Sequence, residues 1–305
     1  TMQKLIALSE TQNNRKEARE EDPNGALLLT LNMDSKVRRA LANAASGTLD
    51  LSQSKVTQLP ESLVRQFPTN VRIVLLNNNQ EDLVIPPTHG SNVLFTVINM
   101  PNVLASAVPN LEELHMRSNA IFALPTDMML PQTLTVLDLS LNKLASIPDS
   151  TYLPPRMYST LQFRIALGIG KLRKLQRLVL QNNKLINIPS SISQLESLRM
   201  LYLSSNRLTT LPAGLCDDKT KLGKELLILN LSENKITTLP TNFGNNLASL
   251  TSLNISKNEL GSLPPTIGGL TSLVELIASH NKITTLQGTL LQPLTPPPHP
   301  LSHIK

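Results

Sequence analysis

The 305-residue chain has no tryptophan, three tyrosines and five phenylalanines. Whatever core it has must be aliphatic, and leucine is the residue it has in quantity. Modules that grip nucleic acid pair basic patches with stacking aromatics, so no nucleic-acid partner is expected. There is one cysteine, Cys216. One thiol makes neither an intrachain disulfide nor a four-thiolate metal site, and it points to a reducing compartment, cytoplasm or nucleus. No run of about 18 apolar residues exists, so no segment reads as a membrane-spanning helix. The apolar part of Thr1 to Leu8 is too short for a signal peptide. Thr1 stands where an initiating Met would, as it does in a fragment of a longer chain. Charge is also modest: 28 Lys and Arg against 22 Asp and Glu give +6. That excess permits an acidic partner without requiring one.

Catalytic sets are missing too. The histidines are His89, His115, His280, His299 and His303. The last two share a four-residue spacing only inside a Pro-rich stretch that cannot be a helix. Cys216 has no His near it in sequence and reads as a buried structural thiol. Gly168-Ile169-Gly170-Lys171-Leu172 lacks the hydroxyl and the framing of a phosphate loop. Asn230-Leu231-Ser232 and Asn254-Ile255-Ser256 match glycosylation sequons, but the repeat described next generates that triplet by itself. No catalytic residue, cofactor or metal ligand is assigned, and no enzyme activity is expected.

What the chain does have is a period. Leu198-x-x-Leu201-x-Leu203-x-x-Asn206-x-Leu208-x-x-Leu211-Pro212 repeats the frame of Leu175 to Pro189. The frame returns from Leu250 to Pro264, from Leu134 to Pro148 and from Leu111 to Pro125, and again through Leu229 to Pro240. A last copy runs from Leu273 to Leu286 without the closing Pro. Two divergent copies precede these, Leu49-x-Leu51 with Ser54 in the Asn place, and Val74-x-Leu76-x-x-Asn79. Asn183 to Asn206 is 23 residues, Asn234 to Asn258 is 24 and Asn258 to Asn281 is 23. About nine turns in one phase specify a stacked repeat.

Each conserved type within the repeat has a physical task. The Leu-x-Leu pair alternates with period two, as a short strand with both Leu side chains turned inward. The asparagines Asn79, Asn119, Asn142, Asn183, Asn206, Asn234, Asn258 and Asn281 are placed inside the turn after the strand. There an amide satisfies backbone groups the turn leaves unpaired, so stacked copies form a ladder. Asn182, one residue ahead of the ladder, is expected to matter much less. The closing Pro fixes φ and ends the pairing. Segments such as 190–197 return outside as a short helix or 3-10 turn. A single turn cannot bury its apolar side; stacked turns share one core.

The pattern Leu-x-x-Leu-x-Leu-x-x-Asn-x-Leu-x-x-Leu-Pro-x-x-Ile resembles the leucine-rich repeats. The Leu-Pro-x-x-Ile closure and the 23-residue period are similar to the intracellular Ras-group class, which holds Shoc-2-like and plant intracellular Ras-group-related proteins. The resemblance covers residues 46 to about 286 with two interruptions. It implies an α/β fold: a curved leucine-rich-repeat solenoid with a parallel sheet on the concave face and short helices or 3-10 turns outside. It implies little about function, because such repeats serve many partners.

The pattern breaks twice. Pro189 to Leu198 spans nine residues, but Pro86 to Leu111 spans 25 and Pro148 to Leu175 spans 27. Insertions therefore fall near 86–108 and 149–170. They are binding loops, tolerated surface excursions or translated introns, and the sequence does not choose among these. The expected organisation is a poorly ordered segment at 1–33, a capping helix at 34–45, the repeat domain at 46–286 and a disordered Pro-rich tail at 287–305. In the helix Val37, Leu41 and Ala44 share a face that would cover the first strand's edge. The last turn, through Leu286, has no visible cap.

Residues flanking the inward Leu pairs point away from the core and line the sheet's other face. In the middle of that face Arg177, Val179, Met200, Tyr202 and Ile228 fall on adjoining strands. Arg and Tyr are enriched at binding hot spots and Met suits adaptable surfaces. The alternative is that Val and Ile only favour strands. The expected function is a non-catalytic scaffold that binds a protein on this face in intracellular signalling. Two alternatives stand beside it: a regulatory or targeting subunit of a kinase or phosphatase, and a recognition fragment of an immune or cell-surface receptor.

Overall fold

The computed structural model describes residues 35–54, 65–79, 107–121, 124, 130–147, 169–216 and 220–284. The expected N-terminal segment, the Pro-rich tail and nearly all of both insertions lie outside the described residues.

Nine strands form one parallel sheet in chain order: β1 Thr48–Asp50, β2 Ile73–Leu75, β3 Glu113–His115, β4 Val136–Asp138, β5 Arg177–Val179, β6 Met200–Tyr202, β7 Ile228–Asn230, β8 Ser252–Asn254 and β9 Glu275–Ile277. Each is centred on the first inward residue of its pair, Val74 in β2 and Leu in the others, so Leu178 faces Leu201 and Leu201 faces Leu229 in register. The second Leu continues the ladder by one bond; the Leu203 N–H donates to the Asn230 carbonyl at 2.8 Å. Parallel strands require a crossover, and each turn supplies one by returning outside the core.

The strands are short because the chain leaves the sheet at a fixed point. One residue before every ladder position the backbone is left-handed: Gln53, Asn78, Ser118, Leu141, Asn182, Ser205, Glu233, Lys257 and His280 all have φ between 53 and 57°. The same position gives Asn182 a conformational role. It lies outside the ladder, yet its φ of 56° is one that Asn tolerates and most residues avoid.

The ladder residues then tie each turn to the one before. Asn206 Nδ2 donates to the carbonyl of Leu203 in its own turn at 3.0 Å and to that of Leu180 in the preceding turn at 2.9 Å. Its Oδ1 accepts from the Leu185 N–H at 3.1 Å. Asn234 and Asn258 repeat the arrangement on Leu203 and Leu231 of the preceding turns. Asn79, Asn119, Asn142, Asn183 and Asn281 do the same. At the first turn Ser54 holds the Asn place, and its N–H donates to Asn79 Oδ1 at 3.0 Å.

The core is a mostly aliphatic column in which Phe67 and Phe243 are also buried: Leu49, Leu114, Leu137, Leu178, Leu201 and Leu253 are all fully buried. At one end helix α1, Ser35–Asn43, lays Val37 over the first turn and packs against β1. The outer segments are 3-10 turns such as Ser190–Gln194 and Pro265–Gly269, and two single-turn helices, α2 at Leu222–Glu225 and α3 at Phe243–Asn246. These pack closely: a Cβ on Gly244 would lie 1.6 Å from the Thr266 carbonyl oxygen, which no side chain can share. The outer segments are therefore closely stacked at this point.

Candidate binding face

The strand register places the five sequence-selected residues together. Arg177 pairs with Met200, Val179 with Tyr202, and Met200 with Ile228. The Arg177 guanidinium carbon lies 5.6 Å from the centroid of the Tyr202 ring, a cation–π contact between neighbouring strands. The Tyr202 hydroxyl donates to Met200 Sδ at 3.9 Å. Arg177 is exposed, and Met200, Tyr202 and Ile228 are half-buried.

Val179 differs. It is only 3% exposed although it lies outside the leucine core. Asp138 and Tyr202 flank it in register, so it underlies the face rather than presenting area to a partner. The members of the cluster that reach the surface are therefore Arg177, Met200, Tyr202 and Ile228.

On four other strands the residue after the inward Leu is Asp50, Asp138, Asn230 or Asn254, and its role is one that alternation alone does not reveal. Asp50 Oδ1 accepts from the Ser52 N–H at 2.9 Å, and Asp138 Oδ1 from the Ser140 N–H at 2.9 Å. Asn230 Oδ1 accepts from the Ser232 N–H at 3.1 Å and its hydroxyl at 2.8 Å; Asn254 does the same with Ser256 at 3.0 and 2.7 Å. These side chains close the turn after the strand. The signal was readable as Asp/Asn-Leu/Ile-Ser. It also explains the two sequon matches, in which each hydroxyl is bonded to its own asparagine.

Elsewhere the polar groups neutralise one another at the surface. His115 Nε2 lies 3.0 Å from Glu113 Oε2 on β3. The Lys257 ammonium, with help from the Ser205 hydroxyl, holds the Glu233 carboxyl below its ordinary range, and Lys282 does the same for Glu259. On the outer side Lys221, with a smaller contribution from Arg173, lowers Glu196. These pairs lie at the surface, with His115, Glu113 and Glu196 half-buried, and surface pairs contribute little to stability. Burial pushes the Cys216 thiol up to about 12, so it remains protonated and unreactive at neutral pH. Among the described residues no group of three or more His, Cys, Asp or Glu side chains is placed to hold a metal ion. No helix among them is long and apolar enough to cross a membrane.

Comparison with known proteins agrees with this architecture. Family models described as leucine rich repeat match residues 169–222 and 224–283, and a second such model matches 131–146. No curated protein sequence matches the chain. The structure is similar to that of TLR13 solved as a complex with ssRNA13, with a TM-score of 0.59, 23% identity, 81% of this chain and 30% of that one covered. A leucine-rich-repeat protein of Leptospira interrogans has 26% identity and a TM-score of 0.49 over 84% of this chain and 72% of its own. The ectodomain of the Arabidopsis thaliana receptor kinase GASSHO1/SCHENGEN3 has 25% identity and a TM-score of 0.48 over 75% of this chain and 26% of its own. The period, the nine-stranded parallel sheet, the asparagine ladder and the matched models agree: the chain is a leucine-rich-repeat solenoid.

Proposed function

We propose that the chain is a non-catalytic interaction module that takes a protein partner on the open face of its sheet, centred on Arg177, Met200, Tyr202 and Ile228. One observation carries this reading. The four side chains lie on three adjacent strands, outside the core, with the guanidinium already stacked on the Tyr202 ring. An Arg and an aromatic ring beside two flexible or branched aliphatics form the composition of a binding centre. Because the fold does not need them to pack its core, their type is available to recognition.

An intracellular signalling scaffold of the Ras-group class is the form of this function we favour. The Leu-Pro closures at Pro189, Pro212 and Pro240 and the single, buried cysteine support it. A protein partner is favoured over single-stranded RNA because Tyr202 is the one Phe, Tyr or Trp side chain on the nine strands, and base stacking needs several rings.

The test is affinity capture with the purified chain from a cytoplasmic extract, in three arms. Wild type and an outer-face control, Gln194→Ala, are expected to retain the same protein partners. The Met200→Ala, Tyr202→Ala double variant is expected to lose them while keeping its circular dichroism. Retention of every partner by a folded double variant would remove the site from this face.

A further inference from the structure

We propose a second, separate surface: a basic column on the flank beyond the strands that binds an acidic segment of a protein, in an extended conformation. The residue after each ladder asparagine is Lys143, Lys184, Arg207 and Lys235 on four successive turns. Backbone bonds hold these positions in stack. The Lys184 N–H donates to the Leu144 carbonyl, Arg207 to Leu185 and Lys235 to Leu208, each at 2.9 Å. Adjacent turns are roughly 4.8 Å apart, so the column is about 14 Å long, the length of four or five extended residues.

All four side chains are exposed, because the alternating neighbours Leu144, Leu185, Leu208 and Ile236 turn inward. The charge is uncompensated in the centre. Elsewhere lysines meet carboxylates across neighbouring turns, as Lys257 meets Glu233 at 2.5 Å and Lys282 meets Glu259 at 2.8 Å. Among the described residues neither Lys184 nor Arg207 has an ion-pair partner. Glu259 ends the run of cations; its hydrogen bond goes to Lys282, with Lys235 a minor influence.

The chemistry beside the column selects the class of partner. Two residues after Lys184, Ile186 is 58% exposed, one of three exposed large apolar residues among the described residues. Ala145, Thr209 and Thr237 continue that parallel row and are exposed. No aromatic side chain lies in either row. Single-stranded bases are held largely by stacking rings, which this surface lacks, whereas an aliphatic contact beside a charge row suits a peptide with acidic and apolar side chains.

The experiment is fluorescence anisotropy with a labelled ten-residue peptide of glutamates carrying two leucines, titrated with the whole chain. Binding is expected at low salt and should weaken as the Debye length falls below about 8 Å. Lys184→Glu with Arg207→Glu is expected to weaken it at least about tenfold, and Lys184→Gln with Arg207→Gln by less. Ile186→Ser is expected to weaken it about threefold. A control of equal net charge, Lys174→Glu with Lys224→Glu, is expected to leave it nearly unchanged. Equal loss in the control, or no loss in the Lys184 and Arg207 variants, overturns the site. Tighter binding of a ten-nucleotide uridine strand or of phosphatidylserine vesicles than of the peptide overturns the choice of partner. The Met200 and Tyr202 double variant retains peptide binding if the two surfaces are separate, so failure here and failure of the open-face site are distinguishable.

Discussion

The Arg177 guanidinium lies over the Tyr202 ring at 5.6 Å, diagonally across the β5–β6 pair, because Arg177 is in register with Met200 and Tyr202 is two residues further on. An exposed contact of this kind contributes about 0.5–1 kcal/mol. Its larger effect is to hold the ring in one orientation before a partner arrives, and such ordering otherwise opposes binding. Arg177→Lys keeps the charge and loses the planar stack. Stability in urea should change by less than about 1 kcal/mol, while partner dissociation should speed up severalfold. Unchanged dissociation would show that the ring orientation does not matter.

Each ladder asparagine satisfies backbone groups of two turns at once. Asn206→Ala removes an amide that serves the carbonyls of Leu180 and Leu203 and the N–H of Leu185. Leaving buried backbone groups unpaired costs on the order of 1–3 kcal/mol each. Urea denaturation is the readout, and a midpoint equal to that of wild type would contradict the hydrogen-bond assignment.

Left-handed positions give a prediction of opposite sign. Leu141 has φ 54° and a side chain 36% exposed, so it bears backbone strain with little packing in return. Leu141→Asn should raise stability by about 1 kcal/mol, and Asn182→Ala should lower it by about as much. No gain from Leu141→Asn would mean that the exposed leucine packs better than its accessibility suggests.

Cys216 sets a pH dependence. In the unfolded chain its thiol ionises near 9, whereas in the folded protein burial holds the proton to about 12. Between these values the unfolded state binds fewer protons, so stability falls as pH rises from 9 and this contribution levels off near 12. Cys216→Ala should flatten that fall in urea denaturation measured at pH 8, 9 and 10. Iodoacetamide should modify the thiol only after unfolding; rapid labelling of the native protein would contradict its burial.

The solenoid was legible from residue spacing because every turn repeats one solution to the same packing problem. Leu201, Leu203 and Asn206 each have a role that residue type and interval alone imply. Alternation does not report what lies beside a side chain, which is why Val179 was grouped with Tyr202 although the structure buries it. The turn-closing role of Asp138 and Asn230 is written in the Asp/Asn-Leu/Ile-Ser triplet rather than in the alternation, which treats either residue as a surface acceptor. The left-handed residues were hidden for another reason. Gln53, Leu141, Glu233 and Lys257 share no chemistry, and only the backbone reveals their common position.

The most direct test of the open-face site is the dissociation constant of a captured partner, measured by titration calorimetry for wild type and for the Met200→Ala, Tyr202→Ala variant. Both side chains lie outside the leucine core, so the variant should unfold in urea within about 1 kcal/mol of wild type. Loss of a hot-spot pair should weaken binding by about thirtyfold or more, equivalent to 2 kcal/mol. Equal affinity in a variant of equal stability would contradict the account.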